Sequence, residues 1–168
     1  KTLREHFEAI NHREAIYYAE ELVQKNQPLS EWQIKSIHQL VLKNIDDKHA
    51  GVYRKTNVVI SGAEHTPPDA LHVQSEMSKL VDWYQNKSAS VHPVERAARL
   101  HADFVKIHPF VDGNGRTARL LMNLDLLKNG FPAAVLPVEK RLEYYESLDS
   151  AHMRQDYQSF FALIAHIV

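Results

Sequence analysis

A short polar loop between two apolar, helix-periodic segments is the feature that most limits how this chain can fold. The loop is His108-Pro-Phe-Val-Asp-Gly-Asn-Gly-Arg-Thr-Ala-Arg119. The segments 94–107 and 116–128 on either side carry apolar residues at the spacing of a helix face. A polar loop at the start of a helix is a good place to hold a phosphate group, because free backbone N–H groups collect there.

The rest of the chain predicts more helices and one extended segment. Val58-Val59-Ile60 is β-branched and Ser61-Gly62 is a turn signal, which predicts a β-hairpin flap within 53–68. A lone hairpin is not stable by itself and must lie on a helical body. We therefore expect one domain over residues 1–168, mainly α, a helical bundle with one small β-hairpin flap. The predicted helices are 3–25, 30–42, 67–86, 94–107, 116–128, 139–152 and 155–167.

Composition excludes several classes of partner and chemistry. The net charge of −1 gives no basic excess for nucleic acid, and no apolar run approaches the ~20 residues of a membrane span. We expect neither nucleic acid nor a membrane as a partner. The chain has no cysteine, which excludes disulfides and thiolate chemistry.

The central loop combines an anion site with a carboxylate. Gly113-Asn114-Gly115 lets the backbone adopt positive φ and turn N–H groups toward one point, and the following helix adds its positive dipole end. Arg116 and Arg119 are three residues apart on one helical face, so both can reach the same polyphosphate. Asp112 beside such a ligand is a candidate Mg²⁺ ligand, because Mg²⁺ takes one or two carboxylates together with phosphate oxygens.

His108 supplies a candidate base to the same loop. An ordinary histidine has a pKa near ~6.5, so a large neutral fraction can accept a hydroxyl proton at pH 7. Together these groups predict a nucleotidyl- or phosphoryl-transfer site that acts by positioning and charge stabilisation. A plain turn is the alternative for each part taken alone. A calcium-binding EF-hand is excluded because its final Glu is missing, and a P-loop because Gly-Lys-Ser/Thr is missing.

The sequence resembles the Fic family. Residues 108–119 match the complete Fic motif, His-x-Phe-x-Asp/Glu-Gly-Asn-Gly-Arg-x-x-Arg, at every fixed position. Gly51-Val-Tyr-Arg54 resembles the segment before the family's flap, 58–65 with Pro67-Pro68 resembles the flap, and Tyr144-Tyr145 resembles a tyrosine pair of the nucleotide pocket. The resemblance covers about 3–165 and is closest to the branch of the animal endoplasmic-reticulum Fic enzymes and their bacterial relatives.

The resemblance implies AMPylation, the Mg²⁺-dependent transfer of AMP from ATP to a Ser, Thr or Tyr hydroxyl of a target protein. It makes His108 the general base and Asp112 the Mg²⁺ ligand, with Arg116 on the α- and β-phosphates and Arg119 on the γ-phosphate. The flap at 58–65 would dock the target by β-augmentation. The residues it assigns to nucleotide binding are Ile60, Ser61, Asp112, Gly113, Asn114, Gly115, Arg116, Thr117, Ala118, Arg119, Tyr144 and Tyr145.

Two departures from the family pattern affect what we expect. His152 stands where members of this branch often have an adenine-contacting Asn, which leaves the base preference open. No Ser/Thr-x-x-x-Glu-Gly/Asn occurs in the chain, although an inhibitory helix with this sequence pairs its Glu with the motif's second arginine in many Fic proteins. We therefore expect a fragment, restrained either by an inhibitory helix in cis upstream of Lys1 or by a separate inhibitor protein.

The sequence also allows activities other than AMPylation. The site could instead transfer UMP, phosphate or phosphocholine, as relatives do, although the Doc-type members that transfer a γ-phosphate lack the complete Gly-Asn-Gly-Arg-x-x-Arg pattern found here. A nucleotide-binding interaction module without turnover is the alternative outside the enzymes. Whether copies of the chain associate as a homo-oligomer is also open.

Overall fold

The structure is a computed structural model that describes residues 1–168, and it consists of seven α-helices joined by loops. Short 3₁₀ turns at Ala70–His72 and Val138–Lys140 precede two of the helices, and a π turn at Trp83–Lys87 follows one. The mainly α fold is therefore confirmed. The helices are α1 Leu3–Gln24, α2 Glu31–Leu42, α3 Val73–Asp82, α4 Pro93–Ile107, α5 Asn114–Lys128, α6 Arg141–Arg154 and α7 Gln158–Ile167.

Local sequence signals account for several of the helix starts. Ser30 and Gln33 form a capping box at the start of α2, as the spacing predicts. Pro93 occupies the first turn of α4, where its missing N–H costs nothing. Helix α5 begins at Asn114, two residues before the predicted start, directly after Gly113 in the left-handed conformation.

Helices α4 and α5 lie at the centre and separate two apolar cores. Phe104, Phe110 and Leu121 are fully buried in the first core, which α1, α2 and α3 also build. Leu126 and Phe160 are fully buried in the second core, to which α6 and α7 contribute. The loop between α4 and α5 is thus attached to two cores, which fixes the position of its polar groups.

The predicted β-hairpin is wrong, because the chain contains no β-strand. Residues 57–60 and 65–69 have no regular secondary structure, and a turn lies between them, with Gly62 at φ 80°. The only backbone–backbone bond recorded inside this segment runs from Ala63 N–H to the Ile60 carbonyl, at 3.2 Å. β-Branched residues favour extended backbone, but a strand exists only when a second strand accepts its hydrogen bonds. We call residues 57–68 the flap loop.

No helix in the structure combines the length and the apolar composition that crossing a membrane requires.

Candidate active site

His108 ends α4 in a strained conformation. Its φ of 52° lies in the left-handed region, which costs a non-glycine residue roughly 1–2 kcal/mol. Its N–H donates to the Phe104 carbonyl at 3.0 Å. The Nδ1 atom is buried without a hydrogen-bond partner, which leaves Nε2 as the ring nitrogen that can meet a ligand in the neighbouring cavity.

The surroundings of His108 favour its neutral form. Burial and then the positive charge of Arg54 lower the pKa of His108 to about 4. A histidine with that pKa is neutral throughout the physiological pH range and can accept a proton. An ordinary histidine, with a pKa near ~6.5, would be only partly neutral at pH 7.

Two buried side chains hold the loop that follows His108. The Asn114 side chain accepts from the Phe110 N–H at 2.9 Å and donates to the Phe110 carbonyl at 2.8 Å. His38 Nε2 donates to the Asp112 carbonyl at 2.8 Å, while its Nδ1 accepts from the Gly51 N–H at 2.9 Å. These bonds hold the buried Asn114 side chain against the Phe110 backbone, so we expect the Asn114 backbone N–H to be the group that meets an anion.

A cavity of about 270 Å³ opens at the start of α5 and contains the predicted phosphate-binding groups. Gly113 N–H donates to the Asp112 carboxylate at 2.8 Å, so the free amides come from the first turn of α5. Arg116 lies 3.6 Å from the Glu8 carboxylate, whereas Arg119 forms no ion pair. The lining residues are His108, Val111, Asp112, Gly113, Asn114, Gly115, Arg116 and Arg119.

Asp112 is an ionised, half-exposed carboxylate at the edge of this cavity. Burial by itself would raise its pKa, but hydrogen bonds from Arg4 and Gly113 and the charge of Arg116 bring the pKa below its ordinary value. Arg4 Nη2 donates to Asp112 Oδ2 at 2.6 Å. The chain has no group of three acidic or histidine side chains that could enclose a metal. One carboxylate fits a Mg²⁺ that arrives with a nucleotide and keeps phosphate and water ligands.

A second cavity, of about 660 Å³, lies beside the first, and Arg119 lines both. It is mainly apolar and is bounded by α1, α5, the segment 133–137 and α6. Tyr144 and Tyr145 both line it, but they differ in exposure. Tyr144 is buried with its hydroxyl 2.7 Å from His101 Nε2, whereas the side chain of Tyr145 is exposed. Tyr145 is therefore the tyrosine whose ring a ligand can cover.

Other predicted nucleotide-binding residues lie away from both cavities. Thr117 and Ala118 are fully buried on the inner face of α5. Ile60 and Ser61 on the flap loop line neither cavity. His152 Nε2 lies 2.8 Å from the Ala102 carbonyl, and its ring meets the edge of the His65 ring at 4.4 Å. The structure thus brings His108, Asp112–Arg116, Arg119 and the tyrosine pair together, and leaves these residues outside.

Sequence reasoning missed several residues that touch the site. Arg4 and Glu8 on α1 pair with Asp112 and Arg116, and His38 on α2 supports the loop. Arg54 belongs to the family-like segment 51–54, and its Nε donates to the His108 carbonyl at 2.7 Å. All of them lie more than 50 residues from their partners, so no local spacing could have identified them.

Comparison with known proteins places the chain in one family. The Fic/DOC family matches residues 28–126. Protein adenylyltransferase fic-1 of Caenorhabditis elegans is 40% identical over 156 residues, which cover 91% of this chain and 30% of that protein. Protein adenylyltransferase Fic of Nematostella vectensis is 39% identical over 167 residues, 98% of this chain and 38% of that protein.

A solved structure gives the same result. Fic-1 (residues 134–508) from C. elegans superimposes with a TM-score of 0.90 at 38% identity, covering 99% of this chain and 49% of that one. The chain spans only about a third of the length of the curated relatives it matches. The sequence identity, the shared fold and the complete motif at 108–119 agree, and the chain therefore belongs to the Fic/DOC family.

Proposed function

We propose that this chain transfers AMP from ATP to a hydroxyl group of a protein, with His108 as the base and Mg²⁺ bound at Asp112. The observation that carries the proposal is that His108, Asp112, Arg116 and Arg119 line one cavity at the start of α5. The curated relatives that match most of this chain are named protein adenylyltransferases, which is consistent with the proposal.

The chemical step needs a base and a cradle for the phosphates. The hydroxyl oxygen attacks the α-phosphorus, its proton passes to His108 Nε2, and pyrophosphate leaves. The first-turn amides of α5 and Arg116 hold the α- and β-phosphate oxygens, and Arg119 holds the γ-phosphate. Mg²⁺, when bound with the nucleotide, neutralises charge on the phosphate oxygens. The residues act mainly by placing the groups in line.

The adenosine moiety is proposed to enter the larger cavity on the far side of Arg119. That cavity has room for it, is mainly apolar, and carries the exposed ring of Tyr145 at its edge. Ile60 and Ser61 would border the nucleoside only if the flap loop moves toward this cavity. His152 is held by Ala102 and His65, so we do not assign it to the adenine base.

The flap loop is proposed to present the target segment to His108. Its backbone makes few internal hydrogen bonds, and Val59 is almost fully exposed. Unpaired backbone groups in an extended loop can pair with an extended target segment by β-augmentation, which depends little on the target sequence.

Restraint of this activity is proposed to act through Arg119. Its guanidinium forms no ion pair and lies where the two cavities meet. A glutamate from an inhibitory helix, in cis or on a separate protein, would occupy Arg119 and compete with the γ-phosphate.

The test is a pair of histidine variants incubated with ATP, Mg²⁺ and a mixture of candidate proteins. We expect His108→Ala to abolish adduct formation while ATP still binds by calorimetry. His166→Ala, at an exposed position on α7, is the matched control and should retain activity. Labelling that persists in His108→Ala would contradict the role of His108.

Mass spectrometry of the modified protein separates the alternative activities. An adenylyl adduct supports the proposal, whereas a uridylyl, phosphocholine or bare phosphate adduct would identify a different transferred group. ATP binding without any adduct in every condition would favour an interaction module without turnover.

A further inference from the structure

Arg54 is a buried arginine whose three guanidinium nitrogens all donate to backbone carbonyls. The residue is only 3% exposed. Nε donates to the His108 carbonyl at 2.7 Å, and Nη2 donates to those of Ile107 at 3.2 Å and Pro68 at 2.6 Å. Nη1 donates to the Thr56 carbonyl at 3.0 Å. No carboxylate pairs with Arg54. A buried cation without an ion-pair partner is costly, so these carbonyls, together with the nearby charge of Asp69, must compensate for it.

One set of these carbonyls belongs to the turn that carries the base. Arg54 takes the carbonyls of Ile107 and His108 through its side chain, and its own N–H donates to the Pro109 carbonyl at 2.9 Å. These groups lie at the C-terminal end of α4, where carbonyls lack helical partners and the helix dipole favours a cation. His108 is in the left-handed conformation, which persists only when surrounding contacts hold it.

The other carbonyls belong to the two ends of the flap loop. Thr56 precedes the loop and Pro68 closes it, and the same guanidinium joins them. Asn57 reinforces this closure, because its side chain donates to Asp69 at 3.1 Å and accepts from the Ala70 N–H at 2.8 Å. Asn57 makes no hydrogen bond to the turn at 107–109. His65 in the flap loop lies 3.0 Å from the Lys106 carbonyl, one residue before that turn. Arg54 alone binds carbonyls of the turn itself and of both ends of the flap loop.

We propose that Arg54 is a positioning residue that fixes the flap loop and the His108 turn in one relative geometry. The inference rests on the proposed transfer activity, since it gives the flap loop and His108 a shared task. Arg54 holds the base at the end of α4 and holds the loop that aligns the hydroxyl, without touching substrate itself. Lysine cannot replace it, because an ammonium group is a point donor and cannot span carbonyls on both sides.

The experiment compares Arg54→Lys with Arg96→Lys. Arg96 is also partly buried, donates to Asp125 at 3.0 and 3.1 Å, and contacts neither the flap loop nor His108. Thermal melting establishes that both variants fold and how much stability each loses. Hydrogen exchange in the ligand-free proteins follows the amides of Ala70, beside the flap loop, and of His108. We expect exchange at both amides to be at least about tenfold faster in Arg54→Lys than in Arg96→Lys.

Kinetics then test the consequence for transfer. We expect kcat of Arg54→Lys to fall by about tenfold to hundredfold, because small misplacements of reacting groups have effects of that size. The KM for ATP should change by less than about twofold, since Arg54 does not line the phosphate cavity. Arg96→Lys should retain kcat. Asn57→Ala should speed exchange at Ala70 but not at His108.

Each outcome decides the inference. Equal exchange in Arg54→Lys and Arg96→Lys would overturn it, as would fast exchange with an unchanged kcat in an active protein. If the unmodified chain transfers no group, the proposed function fails. The exchange rates at Ala70 and His108 in Arg54→Lys and Arg96→Lys still test whether Arg54 connects the flap loop to the His108 turn. Should Arg54→Lys not fold, Arg54→Gln, which keeps an amide donor, takes its place in the same measurements.

Discussion

Arg4 and Asp112 are 108 residues apart in sequence, yet Arg4 Nη2 donates to Asp112 Oδ2 at 2.6 Å. Glu8 joins this network, because its carboxylate lies 3.0 Å from Arg4 and 3.6 Å from Arg116. Helix α1 thereby places a cation on the carboxylate that we assign to Mg²⁺ and an anion beside an arginine that we assign to phosphate. Both pairs must rearrange or share their partners when a magnesium nucleotide binds.

Removing Arg4 should therefore increase the effect of Mg²⁺ on nucleotide binding. We expect the ratio of ATP affinities with and without Mg²⁺ to rise a few-fold in Arg4→Gln, a small effect because exposed ion pairs are weak. Calorimetry with and without Mg²⁺ measures the ratio. Arg13→Gln, an exposed position on the same helix without an ion pair, is the control. A ratio equal to that of the control would mean that Arg4 does not compete with the metal.

Gly113 should be far less tolerant of alanine than Gly130, although both have positive φ, of 78° and 82°. An added Cβ at Gly113 would lie 3.1 Å from Val41 Cγ1, whereas at Gly130 nothing lies within 4 Å. Backbone strain alone costs about 1–2 kcal/mol, so Gly130→Ala should lower the unfolding free energy by that amount. Gly113→Ala should lower it further and weaken ATP binding. Urea unfolding and calorimetry measure both, and equal losses would exclude the Val41 clash.

Substitutions of the two adjacent tyrosines should have different effects, one on stability and the other on ATP binding. Tyr144→Phe removes the hydroxyl 2.7 Å from His101 and leaves that fully buried ring without its partner, which should cost about 1–3 kcal/mol of unfolding free energy. Tyr145 is 57% exposed, so Tyr145→Ala should leave stability nearly unchanged and weaken ATP binding. Thermal melting and calorimetry on both variants test this. A Tyr145→Ala protein that binds ATP normally would remove that ring from the nucleoside site.

The transfer rate should depend little on pH between 6 and 8. An ordinary histidine is only about a quarter neutral at pH 6. Burial and Arg54 lower the pKa of His108 to about 4, so its base form persists over this range. Three further groups shift the pKa of His108 by smaller amounts. The backbone of Val105 and the charge of Asp112 raise it, and the charge of His65 lowers it. Measuring kcat/KM at constant ionic strength tests the expectation, and a decline centred near pH 6.5 would contradict it.

Stability, in contrast, should fall in mild acid. Burial lowers the pKa of His38 to about 4 and that of His101 to about 3, so both are neutral in the fold. Below about pH 6.5 the unfolded chain binds protons that the folded chain does not. The stabilisation from both residues is therefore full above pH 6.5 and is lost as the pH falls toward 4 and 3. Each should contribute a slope on the order of 1 kcal/mol per pH unit. Urea unfolding at a series of pH values from 7.5 to 5 measures how the unfolding free energy depends on pH. His38→Gln should make that dependence less steep.

Much of the helical framework was predictable because helix signals are local. The Ser30–Gln33 capping box and Pro93 lie within a few residues of the helix starts they determine. The positive φ of Gly113 was also expected. Gly115 does not share it and lies within α5, because the helix begins two residues earlier than the apolar pattern indicated.

The flap loop and the support of the site were not predictable in the same way. Val58-Val59-Ile60 has strand-forming residues, but a strand depends on a partner elsewhere in the chain, and none lies beside it. Thr117 and Ala118 belong to the motif, yet packing of α5 buries them. The contacts of Arg54 and Arg4 join segments more than 50 residues apart.

Local sequence predicts that seven helices exist, and it contains the motif at 108–119 that indicates the family, because helix hydrogen bonds and motif spacing involve near neighbours. It does not predict every helix start, since α3 begins at Val73 and α7 at Gln158. Which motif side chains face the cavities and which face the core depends on how the helices pack against one another. The same packing brings Arg54 to the flap loop and His108, and Arg4 to Asp112. These contacts form because α1, the flap loop, α4 and α5 pack together. Their free energy depends on distances between residues far apart in sequence, which no local pattern encodes.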